Sequence, residues 1–205
     1  MQYESTWNSL KKHSTPQWLM DAKYGIYYHW GIYSVPACGP NGSWYPHNMY
    51  KKFTKQHKHH VKNYGKPSEF GYKDLIPEFT AEFFDPDEWA KLFKDAGAQF
   101  AGPVAVHHDN FAMWDSKVNQ WNAAKMGPKK DLLGMMEKAI RKQGLKFMVA
   151  FHHSQNWWFF PHWLKWPPLR AEAALEFERS PQSDECFFHV AQYAVRRFPV
   201  VDDAD

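Results

Sequence analysis

Five histidines stand at the ends of three short apolar runs: His29 in HWG, His107 and His108 in HHDNF, and His152 and His153 in FHHSQNW. A neutral imidazole carries one donor and one acceptor, so a group of them can hydrogen-bond sugar hydroxyls, ligate a metal or move protons. Any single histidine near a strand end reads equally as a structural residue with its hydrogen bonds satisfied; the repetition at three run ends favours a shared site. The chain also holds 11 Trp and 12 His. Aromatic rings beside neutral polar groups suit sugars, whose C–H faces stack on rings while their hydroxyls take directed bonds. A hydrolytic zinc site joins histidines to a carboxylate and keeps one position open. Asp109 is the only acid beside a run-end histidine, so no metal ligands and no cofactor are assigned. His57-Lys58-His59-His60 sits in a Lys-rich stretch, reads as a solvated surface patch and is given no role.

These residues converge only if the runs are parallel strands. Gly25–Tyr33, GIYYHWGIY, reads as a buried first strand ending near His29. The Gly/Pro/Asn/Lys-rich stretch from Ser34 to about Pro77 is too polar for a core element and reads as an elaborated loop. Asp85 as N-cap, Pro86 at the first helical position and Glu88 placed for a capping box predict a helix. Trp89, Leu92, Phe93 and Ala96 give that helix an apolar face, and Gly97 stops it. AQFAGPVAVHH is a continuous apolar run typical of a parallel strand covered on both sides. The plan repeats: a helix over 128–143 with Leu132, Met135, Met136, Ala139 and Ile140 inward, Gly144 as stop, then LKFMVAFHH as strand three. Alternating strands and helices imply right-handed βαβ units in an α/β fold with a parallel sheet. Periodicity alone leaves a doubly wound sheet and a barrel both open.

Length and charge set outer bounds. At 205 residues the expectation is one globular domain, short for a (β/α)8 barrel of roughly 250 residues. A formal charge of +3, from 25 basic and 22 acidic residues spread along the chain, predicts no nucleic-acid partner. Cys38 and Cys186 make neither a disulfide framework nor a zinc motif. No signal peptide or membrane-spanning segment is read, and oligomeric state and location stay open. Up to Leu164 there are 19 Lys and one Arg, whereas from Lys165 there are one Lys and four Arg. Residues 164–205 are therefore read as a divergent tail, with helices expected around 169–178 and 184–197.

AKYGIYYHWGIYSVP, GSWYPHNMY, FDPDEWAKLFKDAGAQFAGPVAVHHDNFAMWDSKVNQWNA, GPKKDLLGMMEKAIRKQGLKF and the strand ending in HHS-x-x-W resemble successive blocks of family 29 α-L-fucosidases, in family order, over about residues 18–163. The resemblance implies a (β/α)8-like TIM barrel, of which residues 1–205 supply about three βα units, and a fucosylated glycan as substrate partner. It implies that His29, His107 and His108 hold fucose hydroxyls and that Trp44 stacks near the sugar. The tyrosine or histidine before the strand-three serine falls on His153, or on His152. Where many members have Glu before that tryptophan, this chain has Ser43, which removes an acceptor for two sugar hydroxyls. Asn110 replaces a glycine after HHD, and Asn tolerates the left-handed backbone well.

Retaining glycosidases need two side chains about 5–5.5 Å apart. The resemblance places the nucleophile, an aspartate in a Trp-x-Asp context, at the end of a fourth strand that this chain does not show. Both nucleophile and acid/base are thus expected beyond Asp205. The activity implied for the family is retaining α-L-fucoside hydrolysis, with this chain inert alone. Two alternatives remain: a catalytically inactive sugar-binding relative, and a metal-dependent hydrolase.

Overall fold

The computed structural model describes residues 4–152; the tail expectations and His153 lie outside them. In chain order the elements are α1 (Trp7–Leu10), α2 (Gln17–Ala22), β1 (Gly25–Tyr28), α3 (Tyr45–Asn48), α4 (Lys55–Asn63), α5 (Pro86–Asp95), β2 (Phe100–Val106), α6 (Leu132–Lys142), β3 (Lys146–Phe147) and β4 (Ala150–Phe151). Short 3-10 turns cover Ile32–Ser34, Gly42–Trp44 and Tyr72–Glu78. All strand pairings are parallel: β1 pairs with β2, and β3 and β4 pair with the other edge of β2. Because parallel strands finish on one side, the residues after β1, β2 and β4 emerge together.

β2 is central because it is apolar throughout, and Ala101–Val106 are all buried. The third strand, expected as one run, is split. The interruption at Met148–Val149 faces Gly102 and Pro103 of β2: a Cβ on Gly102 would collide with the Met148 carbonyl, and Pro103 has no N–H to give the ladder. Pairing resumes at Val104↔Ala150 with a register shift before Val106↔Phe151, and the His152 N–H donates to the Val106 carbonyl at 2.9 Å. The shift brings His152 level with the end of β2.

The helices follow their sequence signals, with corrections. The Asp85 carboxylate accepts from the Asp87 and Glu88 N–H groups at 2.9 and 3.1 Å, so Glu88 enters the cap through its backbone. Ala90 and Phe93 of α5 are buried and Trp89 is partly so, whereas Leu92 is 64% exposed and Ala96 is exposed. The inward stripe is therefore narrower than the apolar spacing predicts. Helix α6 begins at Leu132 rather than 128, where Asp131 caps it by accepting from the Gly134 N–H at 3.0 Å. Leu133 and Gly134 join Leu132, Met136, Ala139 and Ile140 inside, and Met135 is only half-buried. Gly97 and Gly144, at φ of +86° and +74°, end their helices as expected.

The stretch after Ser34 is not the polar loop its composition suggests. Tyr45, Met49, Tyr72 and Leu75 are fully buried and belong to the main core cluster. Its polar residues lie on the outside of short helices whose few aromatic and aliphatic positions point in, which averages over composition conceal. Among the described residues no helix is long and apolar enough to cross a membrane.

Candidate active site at the strand ends

His29 follows β1 directly, His107 and His108 follow β2, and His152 follows β4. The parallel register delivers the four imidazoles to one place. Ring centroids are 5.4 Å apart for His29 and His107, 5.2 Å for His29 and His152, 4.7 Å for His107 and His152, and 5.5 Å for His108 and His152. The neighbours His107 and His108 are 4.6 Å apart, nearly edge to face. The cluster grades from solvent inward: His29 is exposed, His152 half-buried, and His107 and His108 are buried. It has an open side for a ligand and a fixed floor.

Trp44 arrives from the excursion. Its ring lies 5.1 Å from that of His108 and 5.6 Å from His47. The 3-10 turn Gly42–Trp44 and helix α3 carry it, and the next residue, Tyr45, is fully buried. His60 holds that tyrosine. Its Nε2 donates to the Phe70 carbonyl at 2.8 Å, which fixes the neutral tautomer, and its Nδ1 then accepts from the Tyr45 hydroxyl at 3.0 Å. His57 is engaged too, donating from Nδ1 to the Met49 carbonyl at 2.7 Å. The reading of His57–His60 as a solvated patch is thus corrected: these residues lie on α4, and His60 is fully buried.

Burial first, and crowding by neighbouring imidazoles second, lower His29, His107 and His152. Burial, then the proximity of His108, His152 and His29, pushes His107 down to about 3. Neutral rings present donors and acceptors together, the equipment a polyol needs. The Nδ1 atom of His107 is buried without a hydrogen-bond partner among the described residues.

Asp109 does not join the histidines. Its carboxylate accepts from the Tyr72 hydroxyl at 2.7 Å and the Phe111 N–H at 3.2 Å, tying the excursion to the end of β2. Burial raises it to about 6 despite those bonds. Asn110 adopts φ of +55°, the left-handed turn expected of it. Beyond it Asn119 donates to the Asn110 carbonyl at 2.8 Å and accepts from the Trp121 N–H at 2.9 Å, and Asn122 donates to the Asn119 carbonyl at 2.7 Å. This buried amide network holds the loop between β2 and α6 under the site.

The structure therefore brings His29, His107 and His108 together, as their positions at strand ends predict, with His152 in the third-strand place, and Trp44, offered by the family resemblance alone, lies beside His108. One residue escaped the sequence reading. The Tyr27 hydroxyl lies 2.6 Å from Nε2 of His152, and its ring stacks edge-on at 5.0 Å to His29. The signal was present, since Tyr27 precedes His29 by two positions and so shares its face in an extended strand.

Known proteins resemble this chain over most of its length. The family profile described as Alpha-L-fucosidase matches residues 1–190. The chain is 39% identical over 168 residues to the tissue alpha-L-fucosidase of Rattus norvegicus, covering 79% of this chain and 34% of that protein. The human tissue alpha-L-fucosidase is 38% identical over 168 residues with the same coverage. Among solved structures, the Thermotoga maritima alpha-fucosidase in complex with fucose superposes with a TM-score of 0.82 at 35% identity, over 95% of this chain and 47% of that one. An alpha-L-fucosidase of Bacteroides thetaiotaomicron, at 23% identity and a TM-score of 0.66, shares the fold. The chain thus spans about a third of the curated relatives it matches.

Proposed function

Since this chain belongs to the alpha-L-fucosidase family, we propose that its strand-end histidines form one side of a pocket for the L-fucosyl unit of a fucosylated glycan. His29, His107, His108 and His152 take the sugar hydroxyls and Trp44 packs against the ring. His153, outside the described residues, remains a further candidate from the sequence. The single observation that supports this most strongly is the convergence of four imidazoles and Trp44 from separate stretches of chain. In this reading β1, β2 and β3/β4 belong to a (β/α)8 barrel, residues 1–205 are part of one catalytic domain, and the pocket lies at the C-terminal face, where barrel enzymes keep their active sites.

The family-level activity is retaining hydrolysis of α-L-fucosides through two carboxyl groups. Among the described residues the clustered side chains of metal-ligand type are the histidines His29, His107 and His152, and the nearby Asp109 faces Tyr72. We therefore read the chain as binding fucose without cleaving its glycosides. Neutral imidazoles order the hydroxyls, while bond cleavage needs a nucleophile and an acid from elsewhere. The test pairs two measurements on the 205-residue chain. Calorimetry with L-fucose should show saturable binding, and 4-nitrophenyl α-L-fucoside should release no nitrophenol. Absence of binding overturns the pocket; fucose-inhibited release overturns the claim of inertness.

A further inference from the structure

We propose that His29, His107 and His152 also bind one borderline divalent transition-metal ion of the class Zn²⁺, Co²⁺, Ni²⁺ or Cu²⁺, at the mouth of the same pocket. Each residue offers one ring nitrogen, and the three nitrogens lie within 4.8 Å of one another. Nitrogen ligands about 2.0–2.1 Å from a tetrahedral ion stand roughly 3.3 Å apart. The cluster must contract by about an ångström or more, and exposed His29, just beyond the end of β1, has the freedom to supply that movement.

Three observations point to an ion. The buried Nδ1 of His107 has no hydrogen-bond partner among the described residues, a state that costs free energy. The hydroxyl of Tyr27 at Nε2 of His152 fixes that ring, leaving Nδ1 as its ligand atom, as hydrogen-bond partners do for metal-bound histidines. The ligand set contains no carboxylate, and neutral imidazoles favour borderline transition ions over Mg²⁺ or Ca²⁺, which demand oxygen. Three histidines also leave a fourth position open. Without a carboxylate in the set the ion is an occupant that blocks the pocket rather than a hydrolytic centre. The inference rests on the same cluster as the fucose reading but needs no sugar to be tested.

The full 205-residue chain, stripped with EDTA and dialysed, is titrated with Co²⁺ and read by visible absorption, with Zn²⁺ displacement followed by calorimetry. One ion per chain is expected, with affinity at least tenfold weaker in His29→Gln and in His152→Gln, both checked for folding by circular dichroism. No binding by the stripped chain overturns the inference. So does binding unchanged in both variants, or binding lost instead in His57→Gln. A chain that takes the ion but not fucose supports this inference against the fucose reading. A chain that takes fucose but no ion does the reverse.

Discussion

His60 and His107 are both buried imidazoles, yet the chain treats them in opposite ways. His60 has a partner on each nitrogen, the Phe70 carbonyl and the Tyr45 hydroxyl, and so belongs to the structure. His107 is packed among other imidazoles, and its Nδ1 has no partner among the described residues. A buried polar atom without a partner costs about 1–3 kcal/mol, and among the described residues Nδ1 of His59 and Nε1 of Trp114 carry the same cost. What sets His107 apart is its place among the other strand-end imidazoles, His29, His108 and His152.

Acid should expose the largest difference. The lowered His107, His29 and His152 bind fewer protons folded than unfolded between about 3, the folded value of His107, and 6.5, the ordinary one. Their contribution to stability is full above 6.5 and is lost as pH falls through that window. Asp109, raised from 3.8 to about 6, works the other way, stabilising below 3.8 and losing its contribution as pH rises through 6. Several histidines oppose one aspartate, so the urea midpoint in EDTA should fall from pH 7 to pH 4. A flat or rising midpoint would mean that the imidazoles are not held neutral by the fold.

Next in size is His60→Ala, which leaves the Tyr45 hydroxyl and the Phe70 carbonyl without their partner and opens a cavity. About 2–4 kcal/mol of stability should be lost on urea unfolding. His29→Ala, at an exposed position, should cost less than about 0.5 kcal/mol. Equal losses would erase the comparison. Binding should invert it: Trp44→Ala or His108→Ala is expected to weaken L-fucose by about tenfold or more, roughly 1.4 kcal/mol, with the fold intact by circular dichroism. The smallest expected effect on binding is that of Tyr27→Phe. It removes only the hydroxyl that orients His152, worth about 1 kcal/mol, and calorimetry should show fucose affinity reduced several-fold.

Much of this was legible in the sequence, for reasons that particular residues make plain. β2 is a continuous apolar run, and Asp85, Gly97 and Gly144 mark helix ends by local backbone chemistry that tertiary contacts do not override. His29, His107 and His108 follow from where the strands stop. What escaped was tertiary. The split between β3 and β4 depends on Gly102 and Pro103 in a neighbouring strand. The excursion looked polar because its buried Tyr45, Met49, Tyr72 and Leu75 are diluted by lysines that face solvent. His60 looked solvated because nothing local announces that Phe70 and Tyr45 close around it. Leu92 had the helical spacing of a core residue, yet it is 64% exposed.

The most direct test follows the histidine ring protons of the 205-residue chain by NMR while L-fucose is added. The resonances of His29, His107, His108 and His152 should shift together and saturably, while those of His57 and His60 stay in place. Shifts confined to His57 and His60, or no shift at saturating sugar, would contradict the assignment of the strand-end histidines as the fucose site.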